Sequence, residues 1–187
     1  MSYQLIVVRD EAELGRVAAL LVAQQVQKKP GSVLALPTGR TPLEMYRELA
    51  KLEQQGQRSL SGIHTFNLDE FWRLPWDDPG SYHAYMQREF FAHVSIPPSH
   101  IHLLNGMAPD ATAECARYEA AIAALGGLDL AVLGIGGDLA VVELDGVEVQ
   151  GGLAGAGRGA DAEAEPGEFA RARERGGIRG GQQHFTL

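Results

Sequence analysis

Two adjacent carboxylates close an apolar run that begins at Ile63 and ends Thr65-Phe66-Asn67-Leu68-Asp69-Glu70, after which the chain continues Phe71-Trp72-Arg73-Leu74-Pro75. The run reads as a buried strand, and open α/β sheets bind their ligands at the C-terminal ends of strands. An isolated Asp-Glu pair is ordinarily a solvated turn. A carboxylate at a strand end, lodged among Phe66, Phe71 and Trp72, instead loses water, which lifts its pKa toward the range useful for proton abstraction. Asp69 is therefore the candidate catalytic base.

A second segment, Leu36-Pro37-Thr38-Gly39-Arg40-Thr41-Pro42, joins a strand to a helix. Thr41 as N-cap, Pro42 at the first helical position and Glu44 three residues after the cap predict the helix start. Exposed amides at a helix N-terminus, approached through a glycine, form an anion cradle, and the Thr38 and Thr41 hydroxyls and Arg40 add to it. Thr38, Gly39, Arg40 and Thr41 are thus candidate phosphate-binding residues, although Gly, Thr and Pro in such a turn also serve backbone geometry alone. The Gly-Lys-Ser/Thr ending of a Walker loop is absent, and the dinucleotide fingerprint does not match.

Gly134-Ile135-Gly136-Gly137-Asp138 again follows a strand, so its glycines would let backbone approach a ligand and Asp138 would face the same sheet edge; a flexible turn is the plainer alternative. His64, His83, His93, His100, His102 and His184 lack metal-ligand spacing and read as polar surface or satisfied interior. Cys115, early in a helix, reads as a small packed side chain. The Tyr82, Tyr85 and Phe90 stripe reads as core.

The elements that must position these residues alternate. Leu5 to Val8 reads as a strand, followed by Leu14, Val17, Ala18, Leu21 and Val22 at helical spacing. Val33 to Leu36 is the next strand, then a helix with Tyr46, Leu49 and Leu52 on one face. Ile63 to Leu68, a helix from Ser81 to about Ala92, a short strand over Ile101 to Leu104, a helix over Ala111 to Leu125 and a strand over Leu128 to Leu133 complete the series. Strands alternating with helices of this length predict an α/β fold with a mostly parallel sheet covered on both faces. Residues 1–138 are expected to form that domain. Residues 139–187 are expected to be a weakly ordered tail, with a strand or hairpin around Asp145-Gly146 and then a stretch dominated by Gly, Ala, Arg and Glu.

Composition narrows the partners. A net charge of -8 over 187 residues argues against nucleic acid or an anionic membrane surface as the main partner. One cysteine allows no internal disulfide, so the cytoplasm is the expected location. No apolar run approaches the ~20 residues that span a bilayer, and Tyr3 to Val8 lacks the flanks of a signal peptide.

Taken together, these segments resemble the glucosamine/galactosamine-6-phosphate isomerase family of the 6-phosphogluconolactonase superfamily, and within it the glucosamine-6-phosphate deaminases. The likeness runs from the N-terminus to Asp138. Leu36 to Pro42 looks like the family's phosphate loop and Phe66 to Glu70 like its catalytic-base segment. Ser81-Tyr82-His83-Ala84-Tyr85-Met86, Ile101-His102-Leu103-Leu104-Asn105-Gly106 and Glu114-Cys115-Ala116-Arg117-Tyr118-Glu119 continue the pattern. The resemblance implies a modified Rossmann-like fold and a reaction that needs no metal or other cofactor. Glucosamine 6-phosphate opens its ring, a carboxylate moves a proton between C2 and C1 through an enediol-type intermediate, and ammonia leaves to give fructose 6-phosphate. Asp69 matches the family's proton-transferring base, and Asp138 the aspartate that assists ring opening. The implied partner is a small sugar phosphate; self-association into a homo-oligomer is left open.

After Asp138 the match fails. The family continues with Gly-His and then Asn-Glu-Pro, whereas this chain has Leu139-Ala140 followed by Val141-Val142-Glu143-Leu144-Asp145. The ring-opening histidine has no counterpart, Glu143 and Asp145 are not assigned to the missing glutamate, and the later basic residues that grip the phosphate are absent. A shifted reading frame, or a diverged and truncated end, would account for a tail rich in Arg, Ala and Gly in a chain whose lysines are Lys28, Lys29 and Lys51. General acid-base assistance is commonly worth ~10²–10⁴-fold, so activity of this form is expected to be impaired. The alternatives are a 6-phosphogluconolactonase-type hydrolase and a non-catalytic sugar-phosphate-binding protein. In the lactonases the acidic segment continues through Arg and Val-Pro toward Ser-Asn; here it runs through Phe71-Trp72 to Ser81-Tyr82-His83, which favours the deaminase.

Overall fold

The computed structural model describes residues 5–134, 139–143 and 184–186. Helix α1 (Glu11–Lys28) starts at Asp10, whose carboxylate accepts from the Glu13 amide at 2.7 Å, and its apolar stripe buries Ala18, Ala19, Val22 and Val26. Strand β1 (Val33–Leu36) is buried throughout. Helix α2 (Leu43–Gln54) buries Met45, Tyr46 and Leu49, and β2 (His64–Asn67) follows. Next come β3 (Asp69–Phe71), α3 (Tyr82–Glu89), β4 (Ile101–His102), α4 (Ala111–Ala124), β5 (Leu130–Gly134), β6 (Leu139–Glu143) and β7 (His184–Thr186).

The main sheet has the order β4-β2-β1-β5-β6. Its first four strands run parallel, and β6 joins β5 antiparallel. Alternation along β1 divides the core. Leu34 and Leu36 join Leu130 and Val132 beneath α1, α2 and α3, while Val33 and Ala35 join Phe66, Ala131 and Tyr118 of α4 on the opposite face. Helices cover both faces, as the alternating pattern predicts.

Four local expectations differ. Leu5 to Val8 forms no strand, and Leu5 and Val7 are 79% and 85% exposed. Apolar residues make a strand only where a neighbour offers unpaired backbone: β2 and β5 flank β1, β6 covers the outer side of β5, and β4 presents two residues. Helix α2 begins at Leu43 rather than after Thr41, with Pro42 at the cap position and no side-chain cap. There the Arg40 carbonyl accepts from the Leu43 amide at 3.2 Å, closing a turn ahead of the helix. Helix α3 ends at Glu89, and Phe91–His93 continue as a 3₁₀ turn after Phe90 leaves helical geometry. The Ile63 to Leu68 strand breaks at Leu68, and Asp69–Phe71 form β3, which pairs antiparallel with β7.

Within 139–187 the described residues are β6 and β7; the rest of that tail, the hairpin expected around Asp145-Gly146, and Asp138 lie outside the described residues. Among the described residues no helix is long and apolar enough to cross a membrane.

Candidate active site

The register Leu36↔Asn67 fixes the site, because β1 and β2 run in the same direction and leave the sheet side by side. Two residues past each strand lie Thr38 and Asp69. On the other flank β5 ends at Gly134 at the same edge. Thr38, Gly39, Arg40, Thr41 and Asp69 are thus delivered to one edge of the sheet.

The Asp69 carboxyl is raised from 3.8 to about 7, first by burial and then by the negative charge of Glu70. A base with this affinity for protons matches the neutral pH at which it would give and take one. The adjacent carboxylate has a different task. Glu70 is 2% exposed, and its two oxygens accept from the Phe71 amide at 2.8 Å and the Tyr82 and His83 amides at 2.9 Å. It therefore seats the first turn of α3 on β3 and adds a negative charge where the helix dipole favours one. Ser81 caps the same turn, accepting from Ala84 at 2.9 Å. The local sequence signal for this arrangement is the Ser81 cap; the Glu70 contacts span 12 and 13 residues and have none.

Asn67 ties the strand ends together. Its side-chain amide donates to the Leu36 carbonyl at 3.1 Å, and its backbone N–H donates to the Tyr118 hydroxyl at 2.8 Å. That hydroxyl donates on to the His102 carbonyl at 2.8 Å, so one tyrosine of α4 joins β2 to β4. The loop after β4 supports the Phe71 to Leu74 segment. The Arg73 amide donates to the Gly106 carbonyl at 2.7 Å, and Arg73 has φ +62°, a conformation rarely adopted by residues with a side chain. A Cβ on Gly106 would lie 2.5 Å from the Phe71 carbonyl oxygen and 2.6 Å from that of Leu74, so only glycine allows this approach. Glu114 of α4 accepts from the Asn105 amide at 2.8 Å, and its carboxyl is held below its ordinary value chiefly by the hydrogen-bonded Arg117.

The Pro37–Thr41 turn is open. Thr38 and Thr41 are half-buried and Gly39 and Arg40 exposed. Gly39 has φ +104°, and nothing lies within 4 Å of where its Cβ would be. Among the described residues no backbone carbonyl accepts from the Thr38, Gly39, Arg40 or Thr41 amide. Three of the turn's other polar groups meet tyrosines: Tyr46 donates to the Pro37 carbonyl, Tyr85 donates to the Gly39 carbonyl at 2.5 Å, and Tyr82 hydrogen bonds the Thr38 side chain. The reading of Tyr82, Tyr85 and Phe90 as a core stripe holds for Phe90 and for the Tyr85 ring, which packs against the core, but misses the hydroxyls. Phe90 is buried, whereas Tyr82 and Tyr85 are half-buried with polar tips at the turn. Burial, and for Tyr82 the nearby Asp69, pushes both phenols up to about 12, so both keep their protons at neutral pH.

The remaining sequence candidates lie apart. His64, His100 and His102 gather on the α4 face, with the His64 and His100 rings stacked at 4.0 Å and His64 Nδ1 3.3 Å from His102 Nε2. Among the described residues no group of three or more His, Cys, Asp or Glu is arranged to hold a metal ion. Cys115 packs, half-buried, against the α4 cluster, and burial pushes its thiol up.

A mostly parallel α/β sheet that delivers an amide-rich turn and a carboxylate tuned to neutral pH at one edge defines a Rossmann-like domain built around strand ends. The family described as glucosamine-6-phosphate isomerases/6-phosphogluconolactonase matches residues 10–139, and the chain belongs to it. It is 52% identical over 124 residues to a glucosamine-6-phosphate deaminase of Halothermothrix orenii, covering 66% of this chain and 52% of that one. Among solved structures it is similar to a monomeric glucosamine-6-phosphate deaminase, with a TM-score of 0.67 and 44% identity over 69% of this chain and 54% of the other. The 6-phosphogluconolactonase of Thermotoga maritima superposes with a TM-score of 0.58 at 27% identity, covering 69% of this chain and 58% of that one. The chain spans about half the length of the curated relatives it matches.

Proposed function

We propose that this chain carries the phosphate-binding and proton-transfer part of a glucosamine-6-phosphate deaminase. The observation that carries the reading is Asp69, raised to about 7 at the end of β2, beside the open turn that leaves β1 in register. In this reading the Thr38 to Thr41 amides and hydroxyls, with Arg40, hold the 6-phosphate. That places C1 and C2 of the open-chain sugar along the strand ends toward Asp69. As carboxylate, Asp69 takes the C2 proton and returns it at C1, and loss of ammonia with uptake of water yields fructose 6-phosphate. Asp138 is assigned ring opening by its place in the family motif. The reaction is a hydrolytic deamination in cytoplasmic amino-sugar breakdown, of the kind that consumes N-acetylglucosamine.

The relatives that carry the deaminase name are more alike in sequence than the lactonase neighbour, which favours the deaminase over lactone hydrolysis. Incubating the purified chain with glucosamine 6-phosphate should release ammonia and fructose 6-phosphate above an Asp69→Asn control. Equal product from both proteins would refute the assignment, and hydrolysis of 6-phosphogluconolactone in its place would establish the other chemistry.

A further inference from the structure

Three tyrosine hydroxyls meet three consecutive residues of the turn: Tyr46 at the Pro37 carbonyl, Tyr82 at the Thr38 side chain and Tyr85 at the Gly39 carbonyl. Packing alone does not ask for this, since phenylalanine would fill the same space. The consequence lies in peptide geometry. The C=O and N–H of a trans peptide point in opposite directions, and the described residues contain no cis bond. Fixing the Pro37 and Gly39 carbonyls on tyrosines therefore turns the next amides, Thr38 N–H and Arg40 N–H, to the opposite side of the turn. Neither amide donates to a backbone carbonyl among the described residues.

Tyr82 and Tyr85 also share one element. Both stand on α3, whose first turn is bound through the Tyr82 and His83 amides to Glu70, the neighbour of Asp69. The Tyr82 ring packs on Phe71 at 4.8 Å, so the same residue touches the segment that carries the base and the turn. We infer that Tyr82 and Tyr85 are positioning residues: Tyr85 holds the Arg40 amide, and Tyr82 the Thr38 hydroxyl, toward a bound phosphate, and together they set the span from that phosphate to Asp69. This rests on the reading of the Thr38 to Thr41 turn as the phosphate site.

The test uses the full chain and inorganic phosphate as probe. Titration followed by amide NMR should move the Thr38 and Arg40 signals in the unsubstituted protein. Tyr85→Phe and Tyr82→Phe should each weaken phosphate binding about tenfold, the scale of one hydrogen bond that fixes the turn. Urea unfolding midpoints are measured alongside, and affinities are compared in buffer where each protein is fully folded. Unequal affinity at equal folding separates positioning from a merely structural role. In the deamination assay Tyr85→Phe should raise KM for glucosamine 6-phosphate more than it lowers kcat. Phosphate affinity unchanged in both variants, with binding intact in the parent, would overturn the inference and leave the phosphate site standing. Absence of any phosphate response at Thr38 to Thr41 in the parent would overturn the phosphate reading and this inference with it.

Discussion

Asp69 makes the fold less stable as it ionises, and Asp69→Asn exposes that cost. Its carboxyl lies at about 7 in the fold against an ordinary 3.8. Between those values the folded chain keeps a proton that the unfolded chain has released, so stability falls as pH rises from about 4 to about 7 and is flat beyond. At 1.36 kcal/mol per unit, the whole rise corresponds to roughly 4 kcal/mol. Asp69 is only half-buried, and residual water brings the expected gain to about 2–3 kcal/mol. The asparagine variant should therefore be more stable than the parent by that amount at pH 8, by less at pH 6, and by close to nothing at pH 4. Urea unfolding at the three pH values measures the difference, and a chain of this size should show a melting point higher by about 4–12 °C at pH 8. A gap that does not change with pH, or a parent that is the more stable protein at pH 8, would refute the reasoning. Carbon-detected NMR of the Asp69 carboxyl provides a second check: a midpoint below 5 contradicts the assigned environment.

Three further outcomes follow from the supports of that carboxylate. Glu70→Gln puts an amide where two oxygens accept three backbone N–H groups; urea unfolding should show a stability lower by about 1–3 kcal/mol, with the Asp69 midpoint moving down because the neighbouring negative charge is gone. Gly106→Ala forces a methyl against the Phe71 and Leu74 carbonyls and should cost about 1–3 kcal/mol by the same measurement; an unchanged midpoint would show that the loop moves freely. His64 and His102 are held below their ordinary 6.5, chiefly by burial, and they face each other, His100 and Arg117. The unfolded chain binds more protons below pH 6.5, so their contribution is complete above that pH and is lost as it falls. His102→Gln should flatten the acid side of the stability profile, and an unaltered slope would remove the cluster as its cause.

Much of this arrangement is legible from residue order alone. The strands at Val33, Ile63 and Leu128 announce themselves by apolar runs between helical periods, and their C-terminal ends point to Asp69 and Thr38 without knowledge of the sheet. What stays hidden depends on partners far along the chain. Leu5 to Val8 has the composition of a strand but no backbone neighbour among the described residues, and composition does not reveal the neighbour. β3 pairs with His184–Thr186 across more than a hundred residues, a contact no local pattern encodes. Tyr82 and Tyr85 mislead for a different reason. A periodic stripe counts their rings as apolar, which is right for the ring edges and silent about the hydroxyls.

The division of labour between Asp69 and Glu70 shows why the acidic pair is a pair. Glu70 brings α3 to the strand end, and its charge also raises the proton affinity of its neighbour. One residue thus contributes both to where the helix sits and, after burial, to how readily Asp69 binds a proton. Through Tyr82 and Tyr85 the same helix holds the turn that follows β1. The sheet register fixes the distance between the two strand ends, and α3 braces the segments that extend beyond it. A displacement of α3 would carry the Asp69 segment and the turn together, preserving the span between them. Residues 10–139, which the family matches, contain every part of this brace, so the span is set within the part of the relatives' length that this chain matches.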